Sequence, residues 1–192
     1  MNPNFFEKYK KEIDDALEYF IDSKKKEANN KFLDYCYSLI KDYSKNGKRL
    51  RPICMILSYI SNNGKDIKKI IPAALSIELY HTYTLILDDL MDEDDFRRNR
   101  PTVYKSLRDY YLKNFDEDES NGNLYDKKSK RFCIAQTILF GNLTGTLSRL
   151  AIHACNISDE EKVKTLQLME KLDLWMCHGQ SLDIYRENLD IS

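Results

Sequence analysis

Apolar residues recur every three and four positions along nearly the whole chain, and that spacing predicts helices throughout. Phe6, Tyr9, Ile13, Leu17 and Phe20 trace one stripe, entered through Asn2 as a cap and Pro3 as the first helical residue. Phe32, Leu33, Cys36, Leu39, Ile40 and Tyr43 trace a second, closed by Asn46 and Gly47. A third helix is expected to begin after Pro52 and to run through Met55, Ile56, Tyr59 and Ile60 to the break at Asn62-Asn63-Gly64. The fourth opens near Pro72 and carries Ala74, Leu75, Ile77, Leu79, Leu85 and Ile86; it is apolar on much of its circumference, as the central helix of a bundle should be. Helical spacing resumes at Val103, Leu107, Tyr110 and Tyr111, followed by a charged exposed loop over residues 114–131. Ile134, Ile138, Leu139, Leu143, Leu147 and Leu150 mark a further buried helix. Ser158 with Glu161 forms a capping box that opens a last helix through Val163, Leu166, Met169, Leu172, Trp175 and Met176. No stretch alternates with period two, so the chain reads as all-α, one helical domain over residues 1–192.

Charge and cysteine usage narrow the setting. Thirty basic residues against thirty-one acidic ones leave a formal net charge of -1, so no global field points to nucleic acid or to an anionic membrane. The five cysteines are scattered, in neither a zinc spacing nor a disulfide framework, and are read as reduced, hence cytoplasmic. No apolar run approaches the roughly 20 residues of a membrane span, and the protein is expected to be soluble.

Chemistry concentrates where the fourth helix ends. Asp88 and Asp92 are four apart and Asp89 and Asp92 three apart, which puts all three on one helical face within reach of the same metal ions. Carboxylates at a helix C-terminus oppose its dipole and repel one another, so the cluster favours a cation; counted as acids alone, it reads equally well as a solvated helix end. Arg97, Arg98 and Arg100 then reverse the local field, in a layout suited to a polyanion carried on metal. Lys48, Arg49 and Arg51 gather three cations at a turn before a helix, a second setting for an anion. On the last helix Gln180 and Asp183 share a face, and Asp183 must reach solvent or a cation.

Five blocks together, Lys48-Arg49-Leu50-Arg51-Pro52, Glu78-Leu79-Tyr80-His81, Leu85 to Asp92, Arg97 to Thr102 and Gly179-Gln180-Ser181-Leu182-Asp183, resemble in order and spacing the trans-polyprenyl diphosphate synthases, farnesyl and geranylgeranyl diphosphate synthases among them. The resemblance implies the isoprenoid synthase bundle around a deep cavity, as a homodimer. It implies that Asp88 and Asp92 bridge Mg²⁺ with Asp89 in support, that Arg97 grips an allylic diphosphate, and that Gln180 and Asp183 lie beside it. Lys48, Arg51, His81 and Arg98 match the groups that bind isopentenyl diphosphate, and Arg49 is near enough to share that anion. Catalysis is then electrostatic, with no protein nucleophile. Tyr83 and Tyr80 stand about 7.5 and 12 Å before Asp88 along the helix at about 1.5 Å per residue. Both are expected to floor the cavity and to favour C15 to C20 products, geranylgeranyl ahead.

Three departures bear on these expectations. Asn142 stands where relatives commonly carry aspartate, the 114–131 connection is longer than usual, and the resemblance covers about the first two-thirds of a complete synthase, short of a second Asp-rich motif. The chain is therefore read as the N-terminal portion of a prenyltransferase that condenses isopentenyl diphosphate with an allylic diphosphate and that by itself lacks the second metal motif; the alternative is a non-catalytic short homologue or subunit needing a partner chain. A class I terpene cyclase is the remaining alternative, disfavoured by Lys48 to Arg51 and Arg97-Arg98, because a cyclase binds no second diphosphate.

Overall fold

The computed structural model describes residues 3–45, 47–187 and 189, so Asn2 and Asn46, expected as caps, lie outside the described residues. Seven α-helices account for most of them: α1 (Pro3–Ala28), α2 (Lys31–Ser44), α3 (Leu50–Ser61), α4 (Ile71–Met91), α5 (Val103–Asn114), α6 (Lys128–His153) and α7 (Asp159–Glu187). Polar caps fix several of their starts. Asn30 accepts hydrogen bonds from the Phe32 and Leu33 amides ahead of α2, and Thr102 accepts from the Lys105 amide ahead of α5. Before α7 the Ser158 amide donates to Glu161 Oε2 at 2.9 Å while the Glu161 amide donates to Ser158 Oγ at 3.3 Å, the reciprocal box foreseen from sequence.

α4 is the axis of the bundle, with α6 packed most extensively along it and α1, α2, α3 and α5 around the remaining sides. Its burial explains its composition: Ala73, Ala74, Leu75, Leu79, Tyr80 and Ile86 face three different apolar clusters. The largest joins Leu17, Ile21, Ile40, Leu79, Ile86, Leu107, Phe140 and Leu147. Gly141 and Gly145 let α6 approach α4 closely. A Cβ on Gly141 would lie 2.5 Å from Leu87 Cδ2, and one on Gly145 would lie 3.3 Å from Tyr83 Cγ.

Four expectations are corrected. α3 begins at Leu50, two residues before Pro52, because proline fits the first turn, where helical amides have no partner in any case. α6 begins at Lys128, so Lys128, Lys130 and Arg131 are helical; the preceding segment folds back on itself through a Glu119–Lys127 bridge and an Asp118–Lys128 ion pair. Ile138, Leu139 and Leu150 on α6 face outward at 43, 58 and 41% exposure, and on α7 only Met169 is buried, with Trp175 at 65%. Last, a two-residue antiparallel pair, β1 (Phe96–Arg97) with β2 (Arg100–Pro101), interrupts the helices. Its turn residues Arg98 and Asn99 have φ of 52° and 61°, the backbone of a type I′ hairpin, in which only Asn99 is a residue type commonly found there.

Cys36, Cys133 and Cys155 are buried, Cys54 and Cys177 exposed, and all five are free thiols. Among the described residues no helix is long and apolar enough to cross a membrane.

Candidate active site

α4 delivers the acidic residues at its C-terminal end. The Asp92 amide still donates to the Asp88 carbonyl at 2.9 Å, making Asp92 the last residue of the helical track, and Glu93, at φ 55°, turns the chain away. Thr102 Oγ1 donates to the Asp94 carbonyl and the Thr102 amide to that of Asp95, which folds β1 and β2 back over the end of α4. Arg97 is carried there. Its Nη2 donates to Asp88 Oδ2 at 3.0 Å and its Nε to Asp89 Oδ1. Asp89 also receives the Tyr43 hydroxyl on Oδ2 at 2.5 Å.

The three aspartates therefore differ. Asp89, expected in support of the metal, is 1% exposed and accepts from Arg97 on one oxygen and from Tyr43 on the other. Burial lifts its carboxyl above the ordinary value, with the bonds from Tyr43 and Arg97 pulling the other way. Asp88 is half-buried and Asp92 exposed, one turn apart, where hard oxygen donors can share a divalent ion. Desolvation and the charges of Asp88, Asp94 and Glu187 raise the Asp92 carboxyl, as expected of acids crowded without a counter-ion. Glu187, at the far end of α7, was not singled out from sequence, although it continues the Gln180 and Asp183 face by one further helical turn. Among the described residues no three His, Cys, Asp or Glu side chains form a ready-made cage, and an ion on Asp88 and Asp92 would take its remaining oxygens from water or ligand.

A cationic cavity of about 360 Å³ lies beside this corner, lined by Tyr43, Lys48, Arg51, His81, Leu85 and Arg98 among others. Burial, then the charges of Arg51, Arg98 and Arg97, push the His81 imidazole down to about 4, so it is neutral near pH 7. Arg49 and Glu78 line the same cavity but are bound to each other. Arg49 is 3% exposed and is held by Asp14 at 2.7 Å and Glu78 at 2.6 Å, its charge neutralised within the protein. Gly47 makes the room, since a Cβ there would lie 2.4 Å from Arg49 Nη1.

A second, largely apolar cavity of about 750 Å³ runs down α4 toward α7, with Asp88 and Met91 at one end and Tyr80 and Tyr83 in its wall. The two tyrosines meet edge to face at 5.8 Å between centroids. From α7 come Leu172, Met176, Gln180 and Ser181; Asp183 is exposed and outside the lining. Arg51, His81 and Leu85 line both cavities, so the two share a wall.

The sequence profile described as polyprenyl synthetase matches residues 33–192. Among curated relatives, a short chain isoprenyl diphosphate synthase of Methanocaldococcus jannaschii is 32% identical over 74% of this chain and 35% of its own length. A geranylgeranyl pyrophosphate synthase of Geoglobus acetivorans is 32% identical over 80% of this chain and 40% of its own length. The solved geranylgeranyl pyrophosphate synthetase of Geoglobus acetivorans superposes with a TM-score of 0.73 at 25% identity, covering 96% of this chain and 50% of that one. A geranylgeranyl pyrophosphate synthase of Corynebacterium glutamicum, solved with isoprenyl diphosphate and magnesium, shares the fold at a TM-score of 0.78 and 22% identity. The chain thus spans about half or less of the length of these relatives, where two-thirds was expected.

Proposed function

The chain belongs to the polyprenyl synthetase family, and on that premise we propose that it carries the two-diphosphate half of a prenyltransferase site. The reaction is head-to-tail, trans condensation of isopentenyl diphosphate with an allylic diphosphate, to short-chain C15 to C20 products. The observation that carries this reading is the shared wall: a cationic cavity fit for one diphosphate adjoins an apolar cavity with carboxylates at one end, fit for a prenyl tail.

Each residue then has a physical task. Lys48, Arg51 and Arg98 hold the isopentenyl diphosphate, and neutral His81 offers a hydrogen bond beside it. Asp88 and Asp92 would hold Mg²⁺, whose charge, when bound, offsets that of the departing diphosphate. Arg97 and Gln180 lie beside that diphosphate, with Asp183 and Glu187 further along α7. Leu87, Tyr83 and Tyr80 enclose the tail and exclude water from the allylic carbon as its C–O bond breaks. The isopentenyl double bond supplies the electrons of the new C–C bond, and the proton it sheds passes to the released diphosphate, so no side chain acts as nucleophile.

Outward-facing Ile138 and Leu139 support pairing of two copies, and the five free thiols support a cytoplasmic setting. A second reading has its own observation. Leu168, Leu174, Trp175, Leu182 and Tyr185 leave much of α7 apolar and exposed, as in a diphosphate-binding subunit that another polypeptide covers. The test is an assay with isopentenyl diphosphate, an allylic primer and Mg²⁺, run on the chain alone and mixed with the C-terminal portion of a relative. Asp88→Ala should abolish Mg²⁺-dependent turnover at unchanged helix content; retained turnover overturns the assignment.

A further inference from the structure

Tyr43 stands on α2, outside every sequence block that carries the family resemblance, yet it reaches the acidic corner. Its hydroxyl donates to Asp89 Oδ2 at 2.5 Å, Arg97 Nε donates to Asp89 Oδ1, and Arg97 Nη2 donates to Asp88 Oδ2 at 3.0 Å. An unbroken chain of hydrogen bonds therefore runs from a helix packed against the bundle to a carboxylate that would hold the metal. Its middle member is the most constrained. A buried carboxylate with one partner can rotate about its side-chain bonds, whereas two partners on opposite oxygens fix its plane. Arg97 needs such an anchor, because it sits on a two-residue strand beside a hairpin turn and has a long, rotamer-rich side chain.

We propose that Tyr43 is a positioning residue of the allylic diphosphate site: it locks Asp89, and Asp89 holds the inner edge of the Arg97 guanidinium so that its outer edge faces the junction above Asp88. The inference rests on the two-diphosphate reading above. The division of labour also gives a task to Asp89 itself, a buried acid of the motif with a partner on each oxygen. Burial and the neighbouring Asp89 charge hold the Tyr43 phenol well above its ordinary value, so it stays a donor throughout the working range. Loss of the hydroxyl would remove no charge and no ring; it would release the bearing of Arg97. Tyr43 also lines the cationic cavity, but its hydroxyl is committed to Asp89 and phenylalanine keeps the ring, so the Lys48, Arg51 and Arg98 wall is left in place.

That separation supplies the test. Isothermal titration of the full chain measures geranyl thiolodiphosphate, an unreactive allylic analogue, with Mg²⁺, and isopentenyl diphosphate without metal. Tyr43→Phe should weaken the first by about tenfold, as for one hydrogen bond to a charged group, and change the second by less than about twofold. Unchanged affinity for the analogue overturns the proposal, and so does a parallel loss of both ligands, which a merely structural tyrosine would give. Failure of the unmodified chain to bind the analogue with Mg²⁺ removes the two-diphosphate reading and this inference with it. Binding by the unmodified chain with an indifferent Tyr43→Phe removes the inference alone.

Discussion

His81 faces three arginines across a half-buried space, and its imidazole is pushed down to about 4 by burial first and by Arg51, Arg98 and Arg97 after it. Unfolded, a histidine titrates near about 6.5, so between that value and about 4 the unfolded chain binds a proton the folded one refuses. Stability from this group is therefore full above about pH 6.5 and falls as pH drops toward about 4. Urea midpoints of His81→Gln should fall less steeply than those of the unmodified chain over that window. A different residue-scale outcome is expected inside the bundle. Glu78→Gln leaves Arg49 charged and 3% exposed with only Asp14 as counter-ion, and should cost about 3 kcal/mol in denaturant unfolding. Sequence could not separate Arg49 from Lys48 and Arg51, because three adjacent cations look alike on paper. What separates them is the left-handed backbone of Arg49, φ 52°, which turns its side chain inward to a glutamate twenty-nine positions on. Tyr43 escaped for the opposite reason: its partner is forty-six positions away, and helical spacing marks it only as one more apolar position.

At the scale of elements, the seam between α4 and α6 is set by what is missing from it. Alanine for glycine inside a helix ordinarily gains about 1 kcal/mol, but a methyl on Gly141 meets Leu87 Cδ2 at 2.5 Å and Cγ at 2.8 Å. Gly141→Ala should therefore destabilise by about 1 kcal/mol net, read from urea midpoints, and displace Leu87 into the apolar cavity. Further down the same helix, Tyr83→Ala opens the wall formed with Tyr80 and should shift affinity among allylic thiolodiphosphates toward longer tails; an unchanged order of preference would make Tyr83 ordinary packing. Helix positions were readable because a central helix and its neighbours must bury stripes of fixed period. The hairpin was not, since two residues per strand carry no period and Arg98 is an unusual choice for a left-handed turn position. Outward residues such as Leu139 misled the same rule: it finds apolar faces without saying what covers them.

For the whole molecule, on the two-diphosphate reading, ligands at the carboxylate end of the apolar cavity and in the cationic cavity should tighten the fold. Mg²⁺ with pyrophosphate at about one hundred times its dissociation constant should stabilise the fold by about 2.7 kcal/mol, seen as a raised melting midpoint. Asp88→Ala should lose the Mg²⁺-dependent part of that rise. A chain spanning half of the solved synthase it superposes on still contains two adjoining cavities, because α4 carries residues of both. The hairpin adds a consequence for how they communicate. Arg97 serves the acidic corner and Arg98, one peptide bond away and in strained backbone, lines the cationic cavity. A backbone turn at either residue is passed to the other through the peptide they share, while each side chain still rotates about its own bonds. By linkage, any factor by which one anion changes the affinity for the other is returned unchanged in the opposite direction, and paired titrations in both orders measure it.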